Sequence, residues 1–129
     1  MTTEEVASRT ETTAEVANRL VDLCRMEEYE TATRELYADD CVSNEPTDEM
    51  GPKVVSGIGG ILGKLNRFKE ALEERRSNIV SNPVIAGNFF SVSFDMDVTM
   101  KGMGRQRMTE IAVYEVKDGK IASEHFFYN

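Results

Sequence analysis

From Phe90 to Met100 the chain sets Phe90, Val92, Phe94, Met96, Val98 and Met100 at every second position, with Ser91, Ser93, Asp95, Asp97 and Thr99 between them. A strict period of two sends the two sets to opposite faces of a β-strand, and a strand with one apolar face must lay it on a core. Two more extended runs follow, Arg105 to Lys117 and Lys120 to Tyr128. Gly102 and Gly104 permit the first reversal, and Asp118-Gly119 is a strong hairpin signal for the second. The C-terminal half is therefore read as a meander of long antiparallel strands. Upstream, Ile79 to Ala86 is expected to be a strand in which Asn82-Pro83 marks an edge or a bulge. Cys41 to Glu45 is a short strand candidate stopped by Pro46, and 47–55 reads as a loop.

The N-terminal half has a different period. Ala17, Leu20, Val21 and Cys24 form one helical stripe, and Tyr29, Ala32, Thr33, Leu36 and Tyr37 repeat it, so two helices or one bent helix cover about 12–38. Thr12 and Glu15 fit a capping box, which leaves 1–11 as an expected flexible tail and 12–129 as one domain. A third helix is expected from about Ser56. Ile58, Ile61, Leu62, Leu65, Phe68 and Leu72 line one side, with Lys64, Arg67, Lys69, Glu70, Glu73 and Glu74 mostly on the other. Helices first and a meander last make an α+β chain and exclude a parallel βαβ fold.

The 129 residues carry 23 Asp plus Glu against 15 Lys plus Arg, a net charge of −8. That balance argues against nucleic acid and anionic membranes as partners. No apolar run approaches the roughly 20 residues of a membrane span, and the first residues lack a signal-peptide pattern, so a cytoplasmic location is expected. Cys24 and Cys41 read as small buried thiols, and one His without a Cys pair gives no zinc site. Gly57 to Lys64 resembles a phosphate loop only loosely. Ile58 stands where that loop needs glycine, and Leu65 where it needs a hydroxyl. No cofactor and no metal are expected.

The faces of the meander say more. A tight Asp118-Gly119 turn pairs Lys117 with Lys120, Tyr114 with Ser123, Ala112 with His125 and Glu110 with Phe127. One face then carries Met108, Glu110, Ala112, Tyr114 and Val116 beside Ile121, Ser123, His125 and Phe127. Glu110 and His125 are its two ionisable groups. Apolar surroundings raise a carboxylate's pKa and lower an imidazole's, which moves both toward proton transfer near neutral pH. A slip of one residue would instead turn Thr109, Glu115 and Glu124 inward. Tyr29 and Tyr37 read as core aromatics whose hydroxyls can reach a cavity.

Helices, a short strand ending Ser43-Asn44-Glu45-Pro46, Gly57 opening a third helix and the closing strands through Val116-Lys117-Asp118-Gly119-Lys120-Ile121 and Ser123-Glu124-His125-Phe126-Phe127-Tyr128 resemble the SnoaL-like part of the nuclear transport factor two-like, or ketosteroid isomerase-like, superfamily. The resemblance implies a cone: N-terminal helices on a strongly curved, mixed, mainly antiparallel sheet around an apolar cavity, commonly paired into a homodimer through the outer sheet face. It implies a small hydrophobic ligand, bound by Tyr37, Glu45, Phe94, Met96, Met108, Tyr114 and Phe127. Glu110 and His125 are the expected catalytic pair if the chain is an enzyme of isomerase, cyclase or dehydratase type. A noncatalytic homodimeric scaffold is the remaining alternative, because one fold of this kind hosts many functions.

Overall fold

The computed structural model describes residues 2–129. Three helices, α1 (Thr3–Arg25), α2 (Tyr29–Leu36) and α3 (Gly57–Ala71), pack on strands β1 (Tyr37–Asn44), β2 (Val54–Ser56), β3 (Leu72–Val80), β4 (Val84–Ala86), β5 (Phe89–Met100), β6 (Gly104–Lys117) and β7 (Lys120–Phe127). The sheet runs β2-β1-β7-β6-β5-β3, with β4 also on β5. Every pairing is antiparallel except β1 with β7, so the sheet is mixed and does not close. No helix among the described residues is long and apolar enough to cross a membrane.

The period-two reading of β5 holds along its length. Phe90, Val92, Phe94, Met96, Val98 and Met100 are all buried, and the alternate positions are not. On the other side of the core, Val16, Ala17, Leu20, Val21 and Cys24 of α1 and Ala32 and Leu36 of α2 supply the helical stripes. Phe90 stacks on Tyr114 of β6 with ring centroids 4.6 Å apart, which joins neighbouring strands within the core. At the β6–β7 turn Asp118 and Gly119 both take positive φ, 50° and 76°, the pair a type I′ turn needs.

Several boundaries differ from the sequence reading. Helix α1 begins at Thr3, not Thr12. Thr2 caps it by accepting from the Glu5 amide, Glu4 and Glu5 complement the positive end, and a helix anchored by its packed half propagates at little cost. The proposed capping box at Thr12 thus lies inside the helix. Strand β2 falls in the segment read as a loop. The run from Ile79 to Ala86 is two strands, because Asn82-Pro83 interrupts the ladder at the edge of the sheet.

Candidate functional site

The inner face of the curved sheet is decided by a bulge. Lys117 pairs with Lys120 and Val116 with Ile121, as a tight turn requires, but Glu115 then pairs with Ser123. Ala122 is the extra residue, and beyond it the register moves by one: Tyr114 faces Glu124, Val113 faces His125 and Ile111 faces Phe127. A one-residue change inverts the faces of a strand. His125 is therefore exposed and Phe127 is 56% exposed, whereas Glu124 is 3% exposed. The expected placement of His125 and Phe127 beside Glu110 is corrected on this ground. Only β7 is inverted. Glu110 stays on the inner face of β6 with Ala112 and Tyr114, so the inward ionisable pair is Glu110 and Glu124.

Glu124 is satisfied by residues far away in the chain. The Tyr37 hydroxyl donates to its Oε1, and Ser43 Oγ lies 2.9 Å from its Oε2. Both partners sit on β1, which the parallel β1–β7 ladder lays beside Glu124. Lys64 Nζ, on α3, donates to Ser43 Oγ at 2.7 Å, forms an ion pair with Glu45 Oε1 at 2.9 Å and rests 4.5 Å above the Phe126 ring. A continuous polar chain runs from half-buried Glu45 through Lys64, Ser43 and Glu124 to buried Tyr37. Burial pushes the Glu124 pKa up, while the hydrogen bond from Tyr37, the Lys64 charge and Ser43 pull it down. Burial, and then the Glu124 charge, hold Tyr37 protonated well above the usual tyrosine range.

Glu110 stands on the inner face of β6, four positions from Tyr114. It pairs across with Phe94, while Met108 pairs with Met96, so it lies where one apolar cluster of the core gives way to a second. Burial raises its pKa to about 7, and the nearby Glu45 charge adds to the effect that Lys64 opposes. Lys64, Phe68, Arg75, Met108 and Phe126, like Glu110, are half-buried. A carboxyl that exchanges its proton near neutral pH, beside an ammonium group, can act as acid or base toward a bound molecule.

A family model for the SnoaL-like domain matches residues 11–128. The chain belongs to the SnoaL-like family. A candidate SnoaL-like polyketide cyclase from Mesorhizobium loti is 33% identical, with 89% of this chain and 97% of that one covered and a TM-score of 0.82. A nuclear transport factor two-like protein of unknown function from Burkholderia pseudomallei (11% identity, coverage 92% and 91%, TM-score 0.76) shares the fold. So does a candidate ketosteroid isomerase from Kribbella flavida (21% identity, coverage 93% and 79%, TM-score 0.67). Comparison with curated proteins finds no match.

Within this SnoaL-like domain the remaining sequence candidates divide clearly. Tyr37, Phe94, Met96 and Tyr114 are buried on the inner side, and Glu45 and Met108 are half-buried there. Ser43, Lys64, Phe126 and Tyr128 join them from outside the sequence candidates. Tyr128 reaches the same place, its pKa raised by burial and then by Glu45. Lys64 had a signal: it falls between Ile61 and Phe68 at spacings of three and four, on the stripe and not opposite it. Two surface hollows, of about 400 and 600 Å³, are lined by β3, β5 and β6 and by β1, β6 and β7, and neither includes Glu110. No three His, Cys, Asp or Glu side chains among the described residues gather as a metal site.

Proposed function

We propose that this SnoaL-like protein binds a small, largely apolar molecule carrying a carbonyl group against the inner face of the curved sheet, and that Glu110 moves a proton on it. The observation that carries this reading is the Glu110 carboxyl itself, inward, flanked by Met108 and Phe94, with a pKa near 7. A base of that pKa is half-ionised at neutral pH and can take a proton from the carbon beside a carbonyl, then return it elsewhere. Negative charge gathering on the carbonyl oxygen would be met by the Lys64 ammonium or the Tyr128 phenol. Tyr37, Ser43 and Glu124 are positioning residues that hold β1 against β7 under the site. The resemblance to a candidate polyketide cyclase agrees with a carbonyl-bearing ligand.

The test is hydrogen–deuterium exchange beside the carbonyl in a panel of small cyclic and aromatic ketones. Wild type should accelerate exchange in at least one, with a rate that rises through pH 7. Glu110→Gln should lose roughly 10²- to 10⁴-fold of it. Unchanged exchange in the variant removes Glu110 from the role and leaves ligand binding alone.

A homodimer through the outer sheet face is proposed on separate grounds. Ile111 and Phe127, cross-strand neighbours there, are 52% and 56% exposed. Native mass spectrometry should show a dimer at micromolar concentration, and Ile111→Glu with Phe127→Ser should give monomer. A wild-type monomer would refute the pairing.

A further inference from the structure

The opposite wall of the cone holds a second polar group that the proton-transfer reading does not use. Strand β3 carries a bulge at Arg76: Arg75 pairs with Val98, but Ser77 pairs with Asp97. Arg76 turns outward to Glu74, Thr99 and Asp97. Because of the extra residue, Arg75 and Asn78, three positions apart, share the inner face, opposite buried Val98 and Met96. A regular strand would put them on opposite faces. Bulges that re-aim a side chain recur beside binding sites.

The Arg75 guanidinium lies 5.4 Å from the Tyr29 ring centroid and 5.9 Å from that of Phe68, which fixes its plane between two aromatic rings. One of its terminal nitrogens, Nη1, is engaged by Glu27 at 2.5 Å. Its Nε is buried without a hydrogen-bond partner, as are Tyr29 Oη and Asn78 Oδ1. Asn78 Nδ2, by contrast, is held by the Cys24 carbonyl at 2.9 Å. Two buried donors and one acceptor, on α2 and β3, thus lack a full hydrogen-bond partner, although Tyr29 and Asn78 stand close enough to interact with each other. Folded proteins rarely leave such groups unpaired, because burial removes their water without replacing it.

We propose that Tyr29, Arg75 and Asn78 form a carboxylate-binding pole, and that the ligand of this site is a small, flat, apolar acid with its carboxylate on Arg75 and Tyr29. The planar guanidinium edge matches a carboxylate, and the Tyr29 hydroxyl supplies a further donor. Asn78 Oδ1 accepts from a hydroxyl on the ligand, which leaves the single Tyr29 proton for the carboxylate. Asn78 is level with Met96 and Met108, and Glu110 lies two positions along β6 from Met108. With strands about 4.8 Å apart, the two poles stand on the order of 10 Å from each other, a span suited to one or two rings. Met96 and Met108 form the adaptable apolar floor between them. This proposal deepens the proton-transfer reading by naming the substrate class, and places the carboxylate away from Glu110, whose charge would repel it. Glu27 flanks the pole through its ion pair with Arg75, and Glu110, itself near Glu45, Lys64 and Glu124, faces the ligand, so loss of the Glu110 charge as pH falls from 8 to 6 should strengthen anion binding.

Isothermal titration with 2-naphthoate and with the neutral ketone 2-acetylnaphthalene tests it. Wild type should bind the acid roughly tenfold or more tightly than the ketone. Arg75→Gln and the conservative Tyr29→Phe should each reduce that preference, Arg75→Gln abolishing it, with ketone affinity kept. Circular dichroism checks that both variants fold, and Tyr29→Phe alone suffices if Arg75→Gln does not. No naphthoate binding at millimolar concentration, no preference in wild type, or a preference untouched by the variants would overturn the pole. Glu110→Gln should keep the preference or raise it, because the charge that repels the carboxylate is gone. A preference lost in Arg75→Gln without any ketone exchange in wild type would retain the pole and discard the proton-transfer reading.

Discussion

Glu110→Gln is expected to melt higher than wild type at pH 8 and at nearly the same temperature at pH 4. The sign follows from where each state holds its proton. Unfolded, the carboxyl titrates near its ordinary 4.5; folded, it titrates near 7. Between these values the folded chain binds more proton than the unfolded one, so stability falls as pH rises through the window, and the full cost is present above it. A shift of this size corresponds to about 3 kcal/mol, or on the order of 10 °C in melting temperature for a domain of this length. The glutamine amide has no charge to desolvate, so its pH profile should be flatter across the window. Thermal melts at half-unit pH intervals measure it, and a variant with the same slope as wild type would show that Glu110 is not the group responsible. Gain of stability together with loss of exchange would mark Glu110 as a residue kept for chemistry at a structural cost.

The second large effect is expected at Glu124. Glu124→Ala should destabilise the domain by about 3–5 kcal/mol in urea unfolding, since it opens a cavity and strips Tyr37 and Ser43 of their shared acceptor. Tyr37→Phe should cost about 1–3 kcal/mol, because it leaves a buried carboxyl oxygen without its donor. The double variant Tyr37→Phe with Glu124→Leu removes both polar partners and refills the space. It should therefore cost less than Tyr37→Phe and Glu124→Leu measured singly and added together, by about 1–3 kcal/mol. Additive losses, or a Glu124→Ala variant within 1 kcal/mol of wild type, would contradict the network.

Much of this architecture was legible locally. The alternation of β5 is unambiguous because six apolar residues fall on one face and none of the five between them is apolar. The same alternation, carried through the β5–β6 hairpin, put Glu110 inward, where it is found. Strand β7 was harder to read. Ile121, Ser123, His125 and Phe127 are scarcely more apolar than Ala122, Glu124, Phe126 and Tyr128, so composition alone sets its register weakly. Pairing it residue by residue from the tight turn gives the opposite face, because the Ala122 bulge leaves no mark in the local pattern. Charge alone places Lys64 on the solvent side of α3, whereas its spacing puts it on the buried stripe.

The sequence by itself determined the α+β order, the inward face of β5 and β6, the Asp118-Gly119 reversal and the identity of Glu110 as an acid among apolar neighbours. These are short-range matters, settled by periods of two and 3.6 and by turn chemistry. Only the tertiary structure decided which residue of β7 joins Glu110. Turning Glu124 inward is tolerable only because Tyr37 and Ser43, 87 and 81 positions away, arrive on a parallel strand to satisfy it. The Arg76 bulge likewise gains its meaning from Tyr29 and Phe68, which meet Arg75 from α2 and α3. The desolvation cost of a buried polar group is local, but the groups that offset it come from wherever the fold brings them.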